Sequence, residues 1–141
     1  MSATATILNG AVRALDYHGL WTGDHFAHRS GLSVTAAIYK AATGTVPEVF
    51  YTDDTQALAL ITADDRVMEA IAYLSLTLDT QPPTTDGHDD YIEHVEAWAA
   101  RPAPGQRTPL ATSMVIGRIS RAAGVATTLA GRLLTPRTPA A

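Results

Sequence analysis

The sequence predicts an all-α protein: a compact bundle of five to seven short helices, with one short extended segment near residues 46–51. Apolar side chains recur at intervals of three and four residues through most of the chain, which is the helical period. Glycine, proline and acidic residues stand where helix ends are expected. The 141 residues, 46% hydrophobic and 17% charged, are enough for one globular domain with a core of its own.

Two helices are predicted in the first third of the chain. The first has an apolar face that consists of Leu8, Ala11, Val12 and Leu15. It ends before Gly19, and residues 19–31 are predicted to be a loop because they contain three glycines and no clear period. Ser33 is the predicted N-cap of a helix over 34–43, and Gly44 suits the left-handed position just past its end.

The middle of the chain contains further helix starts at acidic pairs. Carboxylates near a helix N-terminus are stabilised by the helix dipole, so these pairs are interpreted as capping groups and not as an acid–base dyad. The pairs are Asp53–Asp54, Asp64–Asp65 and Asp89–Asp90. The longest apolar stripe consists of Val67, Ala70, Ile71, Leu74 and Leu78. Residues 79–90, with two prolines and four acids, are predicted to be an internal linker.

The remaining helices lie towards the C-terminus. One starts at Asp89 or Asp90 and contains Trp98, which is predicted, like Trp21 in the loop, to be a core residue. Another starts at Thr108 and Pro109. Gly124 is the expected end of the latter. The predicted organisation is therefore a helical domain over 1–124, followed over 125–141 by a short helix and a loose tail of proline, threonine and alanine.

Charge is segregated along the chain. Residues 1–96 contain all fourteen acidic residues and four basic ones, a net charge of −10, whereas residues 97–141 contain six arginines and no acid, a net charge of +6. Such a division is typical of a chain whose basic part binds an anionic partner. The alternative is that the basic end packs against the acidic part of its own chain or of a neighbouring copy.

The segment "RISRAAGVATTLAGRLL" is similar to a helix-turn-helix, with Gly124 in the turn. The candidate contact residues for nucleic acid or another partner are Arg107, Arg118, Arg121, Thr127, Thr128 and Arg132. Gly131 weakens the second helix by about 1 kcal/mol, and its exposed face lacks the Asn, Gln or second Arg that reads bases. Packing of a short final helix explains the same residues.

Two longer segments resemble a domain-of-unknown-function family of small proteins from actinobacteria and their phages. They are "LWTGDHFAHRSGLSVTAAIYKAATG" and "YIEHVEAWAARPAPGQRTPLATSMVIGRISRAA". The family places a Gly-Trp-type loop before a small-residue helix, and a Trp-Asn-Asp-x-Pro-Gly-Arg-Thr turn before the last helix. The corresponding residues are Trp21, Ala36, Ala37, Trp98, Pro104, Gly105, Arg107 and Thr108. Ala99 and Ala100 replace the Asn-Asp of the family turn. The resemblance implies no known activity.

Enzyme chemistry finds little support in the residues. There is no cysteine, no glycine-flanked nucleophilic serine and no phosphate-binding loop. His25 and His28 could hold a divalent metal with a carboxylate, but they lie in a predicted loop, and no metal or cofactor is predicted. We also expect no signal peptide and no membrane span, hence a cytoplasmic protein.

The predicted function is accordingly that of a small, non-enzymatic accessory protein. It would associate with a protein partner, or with its own copy, through the basic C-terminal segment. The alternative is a small DNA-binding regulator with a helix-turn-helix over about 109–134.

Overall fold

The computed structural model describes residues 3–100 and 112–134, with side chains up to residue 127. Within these ranges it has seven α-helices and two antiparallel ribbons of two short strands each. In chain order the elements are α1 (Ala3–His18), β1 (Ala27–His28), β2 (Gly31–Leu32), α2 (Val34–Thr43), α3 (Val49–Thr52), α4 (Asp54–Ala63), α5 (Asp65–Thr77), β3 (Thr84–Thr85), β4 (His88–Asp89), α6 (Tyr91–Ala100) and α7 (Thr112–Leu134). The prediction of an all-α bundle is confirmed.

Helix α1 occupies the centre of the bundle and packs against α2, α5 and α7. Its apolar residues at helical spacing, Leu8, Ala11 and Leu15, are buried as predicted. Gly10 faces α2, where a Cβ added to it would lie 2.8 Å from the Cβ of Ala41. The absent side chain therefore allows the two helices to approach more closely than alanine would permit.

Both predicted ends of α2 are confirmed. The Ser33 side chain accepts a hydrogen bond from the Ala36 N–H at 3.1 Å, and Gly44 adopts a left-handed conformation with φ of 87°. A second acceptor reaches the same N-terminus from α6, where Glu96 Oε1 accepts from the Thr35 N–H at 3.1 Å. Two of the N–H groups that a helix start leaves unpaired are thus satisfied inside the protein.

The acidic pairs cap helices, as the sequence predicted. Asp53 accepts from the Gln56 N–H at the start of α4, and Asp64 accepts from the N–H groups of Arg66 and Val67 at the start of α5. Asp90 does the same for α6. The apolar stripe of α5 is buried along its whole length, from Val67 to Leu78.

The prediction of an extended segment near residues 46–51 is wrong, because helix α3 begins inside this range. Its backbone turns through hydrogen bonds from the Phe50 N–H to the Pro47 carbonyl and from the Tyr51 N–H to the Glu48 carbonyl. Phe50 is fully buried, with its ring centroid 4.9 Å from that of Tyr39 and 6.0 Å from that of Phe26. The burial of the Phe50 ring fixes this turn. It outweighs the weak alternation of apolar and polar residues in this part of the sequence.

The predicted loop and linker contain the two small ribbons. In the linker, β3 pairs with β4 around Asp86 and Gly87, which both have positive φ. In the loop, β1 pairs with β2, and the Trp21 N–H donates to the Leu32 carbonyl at 2.8 Å. Trp98 packs, partly buried, against the core as predicted. Trp21 instead stacks on His28 within the loop, with ring centroids 4.1 Å apart.

The predicted helix end at Gly124 is wrong, and with it the helix-turn-helix. Helix α7 runs from Thr112 to Leu134 through Gly124 and crosses the boundary drawn between 124 and 125. Val115, Ile119, Ala122 and Ala126 form one buried stripe across that glycine. Glycine within a helix costs about 1 kcal/mol, less than the burial on both sides of it contributes. The start predicted at Thr108 and Pro109 lies outside the described residues.

In the parts of the chain that the structure describes, no helix combines the length and the apolar character that a membrane span requires.

The close contact at Gly10 predicts opposite effects for two glycine substitutions. We expect Gly10→Ala to lower the free energy of unfolding by about 1–3 kcal/mol, because the new methyl group overlaps Ala41 and outweighs the gain in helix propensity. Gly117→Ala is the matched control on α7. Among the described residues, a Cβ there meets no atom within 4 Å outside the adjacent backbone of its own helix, and we expect a gain of up to about 1 kcal/mol.

Urea unfolding followed by far-UV circular dichroism measures both effects. The double variant Gly10→Ala/Ala41→Gly is expected to recover part of the loss. Equal stabilisation by Gly10→Ala and Gly117→Ala would show that the space between α1 and α2 does not limit their packing.

Candidate interaction surface

Helix α7 presents one face to the bundle and the opposite face to solvent. The buried stripe packs on α1 and α5. Five of the exposed residues on the other side are here called the α7 face, namely Met114, Gly117, Arg121, Gly124 and Val125. At 3.6 residues per turn, the positions of Met114, Arg121 and Val125 fall within about 40° of one another. An arginine between two apolar side chains therefore points away from the protein.

The apolar side chains of the α7 face are exposed. Met114 is 55% exposed and Val125 is 45% exposed. For the two glycines beside them, an added Cβ would meet no atom of the described residues within 4 Å, apart from the neighbouring backbone of α7 itself. Another backbone could approach closely at these glycines while the methionine, valine and arginine side chains contact it on one side.

Arg118 is held by its own chain. Its Nη2 donates to Asp79 Oδ2 at 3.2 Å, just after the end of α5. The guanidinium side chain is 27% exposed and the aspartate side chain 86% exposed, so the pair lies at the surface. For this one arginine, the contact supports the interpretation that the basic end packs against the acidic part of its own chain. Arg121 forms no ion pair with any side chain that the structure describes.

The other predicted contact residues are placed less favourably for binding or lie outside the described part. The Thr127 hydroxyl donates to the Ala123 carbonyl at 3.0 Å within α7, which satisfies its hydrogen. Thr128 and Arg132 belong to α7, but their side chains are outside the described residues, as is Arg107 entirely. Arg118 and Arg121 are thus the predicted residues that the structure places one turn apart on the same helix.

The two histidines that were considered as metal ligands contact different partners. His25 Nδ1 lies 2.9 Å from Asp54 Oδ1 on α4, whereas His28 stacks on Trp21 and its Nδ1 accepts from the Ser30 N–H. Among the described residues, no three metal-ligating side chains come together.

His94 forms a buried polar contact that the sequence did not reveal. Its Nδ1 lies 2.6 Å from the Ser75 hydroxyl, and its Nε2 lies 2.6 Å from the Thr80 hydroxyl. Ser75 and His94 are both buried. A serine paired with histidine in this way resembles a nucleophile and its base, but the serine is closed to solvent, and the second ring nitrogen contacts a hydroxyl where a triad would have an acid. The group ties α5 and α6 together.

Two titratable groups have perturbed pKa values. Burial raises the pKa of Glu96, and the hydrogen-bonding groups of Thr35 and Ser33 act against that rise. Burial and the neighbouring Lys40 lower the pKa of His18, whose Nε2 accepts from the Lys40 ammonium. Since the two shifts have opposite signs, they make opposite contributions to the pH dependence of stability.

A groove opens where α4 meets α5. Its volume is about 410 Å³, and it is lined by residues of α2, α4, α5 and the junction between the last two, namely Tyr39, Leu60, Ala63, Asp64, Asp65 and Arg66. Arg66 donates to the Ala42 carbonyl at 3.3 Å and lies 3.9 Å from Asp64. Asp65 forms no ion pair within the described residues. This surface, the α4–α5 groove, combines apolar side chains with the Asp65 carboxylate.

The fold and these surfaces define a small all-α protein. Residues 1–113 match the model of a family of unknown function, DUF6197. The chain belongs to this family, which confirms the predicted membership of a family of unknown function. The match ends just inside α7, so it covers α1–α6 and leaves most of α7 outside. No curated protein and no solved structure matches the chain significantly.

The raised pKa of Glu96 predicts a pH-dependent effect of Glu96→Gln. Because the folded state binds the Glu96 proton more tightly than the unfolded state does, its contribution is fully present below about pH 4.5 and is lost as the pH rises through the folded pKa. Glutamine does not titrate and still offers an oxygen to the Thr35 N–H. We therefore expect the variant to gain stability relative to the wild type as the pH rises from about 4.5 to 7.

Urea unfolding of both proteins across that range measures the difference. The titration of His18 is common to both and cancels in it. Parallel stability curves for the variant and the wild type would contradict the raised pKa.

Proposed function

We propose that this protein is a small accessory protein of the cytoplasm that acts by association with another protein, not by catalysis. It uses the α7 face, and its partner is an acidic protein surface with exposed apolar groups. The observation that carries the proposal is the composition of that face: Arg121 lies between the exposed side chains of Met114 and Val125. An arginine flanked by apolar contacts is typical of the centre of protein–protein interfaces.

The charge distribution supports the same proposal. The described part of α7 contains no acid, and the sequence after residue 96 contains none at all. Arg118 is occupied by Asp79, which leaves Arg121 for a partner. A carboxylate on the partner could bind its guanidinium in the bidentate geometry that arginine prefers.

The nucleic-acid alternative no longer rests on a helix-turn-helix. That motif needs a second helix set across the first, whereas α7 is a single continuous helix. A straight basic helix could still contact phosphates without reading bases. The experiment below therefore includes duplex DNA as a second ligand.

Fluorescence anisotropy with labelled polymers tests the proposal at low protein concentration. The probes are a random glutamate–tyrosine copolymer, which is acidic and apolar, poly-glutamate and random duplex DNA. We expect the copolymer to bind more tightly than poly-glutamate, because the tyrosines add contacts to Met114 and Val125. Arg121→Glu is expected to weaken copolymer binding at least tenfold, since it places like charges together.

Arg29→Glu is the matched control, because Arg29 is exposed in the loop between α1 and α2 and the substitution makes the same change in net charge. It is expected to leave copolymer binding within about twofold of the wild type, an effect of net charge alone. Equal effects of the two substitutions would overturn the assignment to α7. Binding of duplex DNA that exceeds copolymer binding and is lost in Arg121→Glu would replace the protein partner by a nucleic acid.

A further inference from the structure

The contact between Arg118 of α7 and Asp79 lies at the opposite end of α5 from the α4–α5 groove. The groove includes Asp65, the first residue of that helix, whereas Asp79 is two residues beyond its last residue. A helix of 13 residues is about 20 Å long. No residue of the α7 face lines the groove of the same molecule.

We infer that the partner of the α7 face is the α4–α5 groove of a second copy of this chain. This inference rests on the proposed function and names the partner. Arg121 of one copy would pair with Asp65 of the other, and the apolar side chains of Met114 or Val125 would cover Leu60 and Ala63. The two surfaces are chemically complementary. On one an arginine lies beside apolar groups, and on the other a carboxylate lies beside apolar groups.

The choice of a second copy follows from charge. The basic segment of +6 and the acidic segment of −10 belong to the same chain, so each copy carries both halves of a complementary pair. Within the groove, Arg66 is engaged by Asp64 and the Ala42 carbonyl, which leaves the Asp65 carboxylate for an incoming guanidinium. Like-charge juxtaposition is avoided when the α7 face of one copy meets the groove of the other.

Two copies that make this contact reciprocally would form a closed pair. A two-fold axis would then relate the two contacts, with the face of each copy against the groove of the other. Both contacts then form at once, and neither surface is left open for a third copy.

A charge-exchange experiment tests the pairing by sedimentation equilibrium of the full chain. We expect the wild type to form a dimer. Arg121→Glu alone would place two carboxylates in each contact, and Asp65→Arg alone would place two guanidinium groups there. Each variant by itself is expected to raise the dimer Kd at least about tenfold.

An equimolar mixture of the two variants provides the decisive measurement. In a mixed dimer one contact joins the glutamate that Arg121→Glu introduces to the arginine that Asp65→Arg introduces, and the other contact keeps the natural pair. We therefore expect the mixture to dimerise with a Kd within about threefold of the wild type. A mixture that remains as monomeric as its components would overturn the inference, as would a wild type that is monomeric at millimolar concentration.

Two controls and a comparison complete the design. Arg29→Glu and Asp24→Arg reverse charges in the exposed loop between α1 and α2 and are expected to leave the dimer unchanged, singly or mixed. Circular dichroism verifies that Asp65→Arg folds, since the substitution replaces a favourable charge at the start of α5.

If Arg121→Glu abolishes copolymer binding while the wild type stays monomeric, the proposed function stands and the second copy is excluded as its partner. If copolymer binding is unaffected by Arg121→Glu, the proposed function itself fails.

Discussion

The burial of α1 among α2, α5 and α7 is the constraint on which the rest of the structure depends. A helix surrounded on several sides has to be apolar over much of its circumference, and it must admit its neighbours closely. Small residues on α1 meet this second requirement, with Gly10 directly against Ala41 of α2. Because α2 and α7 are both placed against α1, the direction of the α7 face follows from the packing of α1. The exposed arginine and its apolar flanks are thus positioned by a contact on the opposite side of their helix.

Polar side chains inside the bundle fix the remaining helices. Glu96 of α6 accepts a hydrogen bond from the first turn of α2, and His94, also of α6, contacts hydroxyl groups of α5 and of the segment after it. Such contacts have strict geometry, whereas apolar packing tolerates sliding between helices. The raised pKa of Glu96 indicates that burial of this carboxyl group opposes its ionisation, although the N-terminus of α2 favours the charged form. Positioning of α6 on α2 therefore carries an electrostatic cost at neutral pH.

The sequence predicted those features whose causes are local. Ser33 and Gly44 define α2 because a capping hydroxyl and a left-handed glycine act within a few residues. Gly124 was an equally local signal, but the helix end predicted from it is wrong. The buried stripe on both sides of this glycine packs against the same neighbouring helix, α1. The turn at Phe50 depends on rings 24 and 11 residues away in the chain, those of Phe26 and Tyr39, which no local pattern could indicate. On the candidate surface, the exposure of Arg121 followed from helical period. The capture of Arg118 by Asp79 and the assembly of the groove from three helices needed the tertiary structure.

The packing of the helices decides which of the segregated charges can pair within the chain. A basic helix in an otherwise acidic chain could neutralise itself by packing its arginines against acidic loops, and Arg118 does so with Asp79. The α7 face cannot follow, because its direction is fixed by the burial of the opposite stripe against α1. The acidic groups at the start of α5 are equally fixed, since Asp64 caps that helix and Asp65 occupies its first turn. No residue of the α7 face lines the groove of its own molecule, so the proposed pairing joins the two surfaces between molecules. In that arrangement both surfaces would leave water with their charges matched.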